Sequence, residues 1–394
     1  MSIKREKRLI RLNQARRKLK SQQDVILSSP DKPLIIIIII LIIFGTMAIL
    51  SAGAPEGIDL YNNPAYYAIK HIAFVIIGLV FMIITANFDY KNWKDLAIPF
   101  SLITIALIGA TYVPGLGKES YGASRWLVGL PIQPSELAKI ASILLISSAL
   151  VNSKSLINHK MFSHFFLIGL MILLILFQPN LSIAAMITLI TAVIMLAGGV
   201  SFWLFGGLAA SAGLFLYTHI LSTSYQLNRI TGWLDPWADP QGTGYNLIQS
   251  WYAIGSGGIW GVGFGNSKQK LFWLPFRHTD FIFSIIAEEL GLIGCLILIG
   301  LFVVFIYRGF LIANRCSDSF GRLVAFGITF IISFQAFVNI GVAVGVLPVT
   351  GVTLPLISYG GSSVVITMTM LGILLNISRK RIRKIQPQEA TNEA

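Results

Sequence analysis

The chain has 394 residues, 55% of them hydrophobic and only 12% charged, with a mean hydropathy of +0.74. This excludes a soluble domain of that size and predicts an all-α polytopic membrane protein. The formal net charge of +13 is concentrated in two tails beside apolar runs, without interleaved aromatics or a nucleic-acid-binding motif. It therefore points to anionic lipid rather than nucleic acid, although docking of a partner on the first tail is the other reading of those cations.

Residues 1–32 form a basic tail (Lys4, Arg5, Lys7, Arg8, Arg11, Arg16, Arg17, Lys18, Lys20, Lys32). The apolar run from Leu34 to Leu50 is too long, and begins too late, for a signal-peptide core, so Ala52-Gly53-Ala54 is not read as a cleavage site. Spans of roughly 20 apolar residues are needed to cross the hydrocarbon core. About ten are predicted on that criterion, near 34–53, 67–87, 96–115, 134–152, 161–178, 181–199, 201–222, 281–306, 323–346 and 356–378. Basic residues in both tails (1–32 and 379–394) and in the loops carrying Lys91/Lys94, Lys154/Lys160 and Arg308/Arg315/Arg322 place these segments in the cytoplasm. The transmembrane domain is then 33–378. Cys295 and Cys316 imply no disulfide framework.

The outer segments hold most of the candidate chemistry. In the loop near 114–133, Arg125 and Trp126 suit the membrane interface. Glu136 and Lys139, three apart on one helix face, either neutralise each other or line a polar cavity. The longest outer loop, about 223–280, begins with Asp235-Pro236 and Asp239-Pro240, read as turn formers. Its second half is rich in glycine (Gly255, Gly257, Gly258, Gly261, Gly263, Gly265). These residues permit close packing or a phosphate cradle, but no dinucleotide or P-loop motif is present.

Lys268, Lys270 and Arg277 follow, three cations where the positive-inside rule predicts few. They form either a surface charge pattern or a grip for a phosphate or diphosphate headgroup. Asp280, where this loop meets the next span, can be tuned by burial and neighbouring charge for general-base work. Glu288 and Glu289, expected within that span, are functional candidates because charge at membrane depth is costly. One of the two faces a cavity and the other a neighbouring helix in this reading.

Several long motifs then occur in order: Gly122-Ala123-Ser124-Arg125-Trp126-Leu127, Gln133-Pro134-Ser135-Glu136-Leu137-Ala138-Lys139, Gly244-Tyr245-Asn246-Leu247-Ile248-Gln249-Ser250, His278-Thr279-Asp280-Phe281-Ile282-Phe283, Ala287-Glu288-Glu289-Leu290-Gly291 and Pro355-Leu356-Ile357-Ser358-Tyr359-Gly360-Gly361-Ser362. Through them nearly all of 33–378 resembles the SEDS family, the shape, elongation, division and sporulation proteins. The resemblance implies a ten-span SEDS fold and an inverting peptidoglycan glycosyltransferase that polymerises lipid II beside a class B penicillin-binding protein acting as transpeptidase. The family's essential aspartate falls on Asp280, its important tryptophan on Trp126, and its polar cavity residues on Glu136, Lys139 and Glu288.

Lys268, Lys270, Arg277 and Arg125 are the candidates for the diphosphate leaving group. No cofactor is implied with certainty and a divalent cation stays open, because Asn180 stands where many members carry aspartate. Gly265-Asn266-Ser267-Lys268-Gln269-Lys270-Leu271 and the basic first tail resemble the division branch, which implies a septal location and other division-complex membrane proteins as partners. A lipid or solute transporter and a non-catalytic scaffold are the alternatives from other classes.

Overall fold

The computed structural model describes residues 25–27, 29–120, 123–129, 132–152, 159–200, 206 and 224–382. In chain order, with β1 Val25–Leu27, these hold α1 Lys32–Tyr61, α2 Tyr66–Asn87, α3 Asn92–Ala110, the strands β2 Gly117–Ser120 and β3 Ala123–Leu127, and α4 Pro134–Asn152. There follow α5 His159–Phe177, α6 Leu181–Ala197, α7 Ser224–Leu234, α8 Tyr245–Gly257, α9 Ile282–Arg315, α10 Ser319–Ala343, α11 Gly361–Ser378 and β4 Lys380–Ile382.

Seven of the described helices are long and apolar enough to cross a membrane, and two more, at Met161–Phe177 and Leu181–Ala197, are apolar but shorter. The predicted span at 201–222 lies, apart from residue 206, outside the described residues. The bundle has a dry centre and a lipid-facing rim. Of the apolar stretches of α4 and α11, 83% and 78% is buried, against 22% of α3 and 28% of α2. This contrast makes α4 and α11 central and leaves Ile76, Ile83, Ile84, Leu102 and Ile103 to face outward.

The segments before α1 and after α11 meet on one face. Asp31 caps α1 by accepting from the Leu34 amide at 3.0 Å, and Pro33 occupies the first turn, where its missing N–H costs nothing. The same carboxylate pairs with Arg308 near the end of α9, and the Asp31 amide donates to Ser378 Oγ at 3.1 Å. β1 and β4 pair antiparallel just beyond.

At the opposite end the segment 224–281 is not a free polar loop. α8 buries Leu247, Ile248, Ser250 and Ala253. The Ser250 hydroxyl lies 2.6 Å from both Ser284 Oγ and the Ala343 carbonyl. Trp233 and Trp251 donate from their indole nitrogens to the carbonyls of Gly345 and Val344. Asp239 accepts from the Thr243 amide at 2.8 Å, the turn-forming contact expected of an Asp-Pro pair.

α9 departs from the expected span. It contains a break at Gly291 (φ 64°, ψ −166°). As one straight helix it would be about 51 Å long, well beyond a hydrocarbon core of roughly 30 Å. The piece 292–315, about 36 Å, is long enough to cross by itself. Glu288 and Glu289 sit in the short piece 282–290, on the N-terminal side of the break.

The break is filled by the glycine-rich segment. Val262 and Gly263 donate their amides to the carbonyls of Glu288 and Glu289, while the amides of Leu292 and Ile293 donate to the carbonyls of Gly258 and Ile259. The four helical groups that the kink sets free all regain partners. A Cβ at Gly257 would lie 2.0 Å from the Ala287 carbonyl, and one at Gly261 2.2 Å from that of Glu289. Close backbone approach therefore explains these glycines, with no need for a phosphate.

Candidate active site

Asp280 stands where the 258–281 segment turns into α9. Phe276 has a left-handed backbone (φ 54°), and its carbonyl accepts the amides of Thr279, Asp280 and Phe281. The Asp280 carbonyl accepts from Asn339 Nδ2 of α10 at 2.8 Å. The Thr279 carbonyl accepts from Ser358 Oγ at 2.6 Å, and the His278 carbonyl from the Tyr359 amide at 2.9 Å.

The base candidate is thus gripped by its main chain from two elements, α10 and the segment before α11. Its carboxylate is half-buried. Loss of water pushes its pKa up from 3.8 to about 6, opposed by the charge of Arg229 on α7 and by a hydrogen bond from Thr279. Gly351 flanks it: a Cβ there would come within 3.7 Å of Asp280 Oδ2.

Arg277 and His278 point back toward the end of α1. Arg277 is buried, donating to the Ala52 carbonyl at 3.2 Å and to Glu56 Oε2 at 3.1 Å. Glu56 also accepts from the Tyr67 hydroxyl at 2.8 Å. His278 lies 3.7 Å from the same carboxylate and packs between Tyr67 and Tyr359. Burial drives its pKa down to about 4, so the ring is neutral at physiological pH.

Lys270 is buried too. Its ammonium lies 2.9 Å from Glu289 Oε1 and 2.8 Å from Ser51 Oγ, and it donates to the Gly265 carbonyl. Glu288 accepts from the Ser267 hydroxyl and from the amides of Lys268 and Gln269. The two glutamates therefore divide their work: Glu289 neutralises Lys270, and Glu288 ties down the turn at 267–269. Neither carboxylate contacts Asp280. Lys268 is held only through its main chain here, and its side chain is exposed.

Glu136 and Lys139 form a 2.7 Å ion pair near the start of α4. Lys139 also donates to Gln335 Oε1 at 3.1 Å. The Gln335 amide in turn donates to the Thr353 carbonyl at 3.0 Å and lies 3.3 Å from Ser363 Oγ. Arg125 and Trp126 lie on β3, both half-buried. Arg125 donates to the carbonyls of Gln178 and Pro179 at 3.1 and 2.8 Å. Asn180, next along, caps α6 by accepting from the Ile183 amide. Asparagine and aspartate serve that position about equally well, which accounts locally for the neutral residue.

Of the expected diphosphate ligands, then, Lys270 and Arg277 are occupied by carboxylates and Arg125 by carbonyls. Sequence reasoning passed over Glu56, Arg229, Gln335 and Asn339. Arg229 carried a signal, since it is another cation in the segment expected to lie outside. Gln335 and Asn339, four apart on an apolar helix, carried one as well.

Fold and site together define a multi-pass membrane protein whose candidate catalytic carboxylate lies at one rim of a helix bundle. The FtsW, RodA and SpoVE family model, described as cell cycle protein, matches residues 32–383. The chain belongs to this family, the SEDS proteins. It is 38% identical over 344 residues to the "Probable peptidoglycan glycosyltransferase FtsW" of Geobacter metallireducens, covering 86% of this chain and 91% of the relative. It is also 38% identical over 361 residues to stage V sporulation protein E of Bacillus subtilis, covering 89% and 98%.

Among solved structures, a chain described under "Structural coordination of polymerization and crosslinking by a peptidoglycan synthase complex" superposes with a TM-score of 0.73 at 32% identity, covering 89% of this chain and 98% of that one. The rod shape determining protein RodA of Thermus thermophilus superposes with a TM-score of 0.66 at 28% identity, covering 89% and 97%.

Proposed function

We propose that the chain is a peptidoglycan glycosyltransferase of the division type, which polymerises lipid II at the outer face of the cytoplasmic membrane with Asp280 as general base. The observation that carries the role of Asp280 is its setting. It is a half-buried carboxylate at the rim of the bundle with a pKa of about 6, ionised at neutral pH yet basic enough to take a proton in the transition state. The relatives' names support the enzyme class.

In this reading Asp280 removes the proton of the acceptor sugar's 4-hydroxyl. The freed oxygen attacks the donor's anomeric carbon, the bond to the lipid diphosphate breaks, and α becomes β without a covalent enzyme intermediate. In this reading Lys268, whose side chain is exposed, and Arg229, whose charge acts on Asp280, meet the departing diphosphate, while Lys270, Arg277 and Arg125 support the site's backbone. Trp126, on the hairpin before α4, is retained as a substrate contact.

Among the described residues no three His, Cys, Asp or Glu side chains gather as a metal site. Any divalent ion in this reading enters with the diphosphate. The likeness to a chain of a peptidoglycan synthase complex that coordinates polymerization and crosslinking supports a class B penicillin-binding protein as transpeptidase partner. The meeting of the segments around α1 and α11 on one face supports a shared cytoplasmic side. The division-type relatives support a septal location and contacts with other division-complex membrane proteins.

The test is glycan-chain formation from purified lipid II by the detergent-solubilised protein with its cognate transpeptidase. Wild type is expected to make polymer, and Asp280→Asn to lose roughly 10²- to 10⁴-fold in rate, the usual worth of a general base. Equal product from both would overturn the role of Asp280. No product from folded wild type with lipid II bound would overturn the enzyme.

A further inference from the structure

The segment 351–353 and the main chain of Asp280 are held by two side chains one helical turn apart on α10. Asn339 Nδ2 donates to the Asp280 carbonyl at 2.8 Å and to the Val352 carbonyl at 2.7 Å. Both atoms facing it are carbonyl oxygens, so only the NH2 end of the amide can point there. Gln335 Nε2 reaches the neighbouring Thr353 carbonyl, and its Oε1 accepts from Lys139. A lysine donates only, so Gln335 is fixed in orientation as well. Asn339, Gln335 and Lys139 are all at most 2% exposed, so water cannot readily stand in for any of these bonds.

The consequence falls on the carboxylate. Gly351, beside Val352, is the residue whose added Cβ would touch Asp280 Oδ2, and its φ of +73° is a conformation that glycine tolerates and other residues rarely adopt. Asn339 thus fixes, through one amide group, both the backbone that carries the base and the backbone that walls it.

Resting on the reading of Asp280 as general base, we propose that Asn339 is the positioning residue of that base. Gln335 and the Glu136–Lys139 pair form the far end of the same strut, acting on catalysis through the 351–353 segment without touching the sugar. Among the described residues, the contacts of these four lead to the reacting atoms through the placement of Asp280. Their loss lowers turnover and leaves substrate affinity alone, because a misplacement of about 1 Å at a reacting group can cost on the order of 10²-fold in rate.

The experiment uses full-length protein with its transpeptidase and measures kcat and KM for lipid II polymerisation in wild type, Asn339→Leu and Lys139→Met. Asp280→Asn is the reference. The expected result for Asn339→Leu is a kcat lower by about 10- to 100-fold with KM within about twofold of wild type. Lys139→Met should show the same signature in weaker form. Wild-type kcat in folded Asn339→Leu overturns the proposal, and so does a raised KM at unchanged kcat, which would make Asn339 a substrate ligand.

Should Asn339→Leu fail to accumulate folded, Asn339→Ser, which keeps one donor, decides. An intermediate kcat at constant KM supports the strut, and wild-type kcat overturns it. If Asp280→Asn polymerises like wild type, the reading of Asp280 has failed. If Asp280→Asn is inactive and Asn339→Leu is not impaired, only the strut has failed.

Discussion

Lys270 and Glu289 are joined by a 2.9 Å ion pair whose side chains are only 8% and 3% exposed. It links the 258–281 segment to the piece of α9 before the break, and Ser51 extends it to α1. Removing one partner leaves an uncompensated buried charge, which typically costs about 3–5 kcal/mol. Lys270→Met is therefore expected to lower the midpoint of thermal unfolding in detergent markedly. The double variant Lys270→Met/Glu289→Leu should recover most of the loss. A double variant no better than the single would mean that the pair is not what holds the segment.

Glu288 serves the turn at 267–269 through the Ser267 hydroxyl and two main-chain amides. Glu288→Ala should speed hydrogen exchange of the Lys268 and Gln269 amides by roughly 10- to 100-fold, since hydrogen bonds to a charged group are worth about 1.5–3 kcal/mol. Helices α4 and α11 should keep their protection. Unchanged exchange at 267–269 would rule out the clamp.

Gly291 permits the break in α9. A Cβ there would lie 2.4 Å from the Gly261 nitrogen and 2.5 Å from the Ile259 carbonyl, at a φ of +64°. Gly291→Ala is expected to expel the 258–263 segment from the break and open it to limited proteolysis, at a cost of at least about 1–3 kcal/mol from backbone strain alone. A variant as resistant as wild type would show that the contacts at the break relax cheaply.

The pH behaviour follows from two groups outside the spans. Asp280 has its pKa raised to about 6, so polymerisation should fall about tenfold per pH unit below 6 as the base is protonated. Its contribution to stability is fully present below about pH 4 and is lost as pH rises through 6. Asp280→Asn should then unfold later than wild type at pH 7 and about equally at pH 4, a gain of at most about 3 kcal/mol. His278, lowered to about 4, has the opposite sign: its contribution is present above pH 6.5 and is lost as pH falls through 4. His278→Gln should leave the acid limb near pH 6 in place. An acid limb that moves with His278→Gln would transfer that titration to the histidine.

Composition and apolar run length were enough to find the apolar helices among the described residues, because a helix must satisfy its own backbone in lipid and advertises this as an unbroken apolar stretch. Asp280 was legible for a related reason, as a carboxylate at the edge of such a stretch. The fate of the cations was not. Lys270 and Arg277 look alike in sequence as loop charges, yet each is neutralised by a carboxylate on another element, Glu289 on α9 in one case and Glu56 on α1 in the other. The break at Gly291 was hidden as well, since glycine is common in membrane helices and only the returning loop shows that this one bends. Asn339 and Gln335 were overlooked because amides inside an apolar helix more often report helix packing, and their acceptors here are main-chain atoms that leave no trace in sequence.

The pairing of 258–263 with the four groups freed at the break gives α9 a second property. The loop cannot slide along the helix without losing all four hydrogen bonds, and the base sits at the end of that loop. These bonds couple the piece 292–315 to the segment that ends at Asp280. Since a span settles to match the hydrocarbon around it, bilayer thickness would, under the proposed function, enter into the altitude at which the sugar hydroxyl meets Asp280.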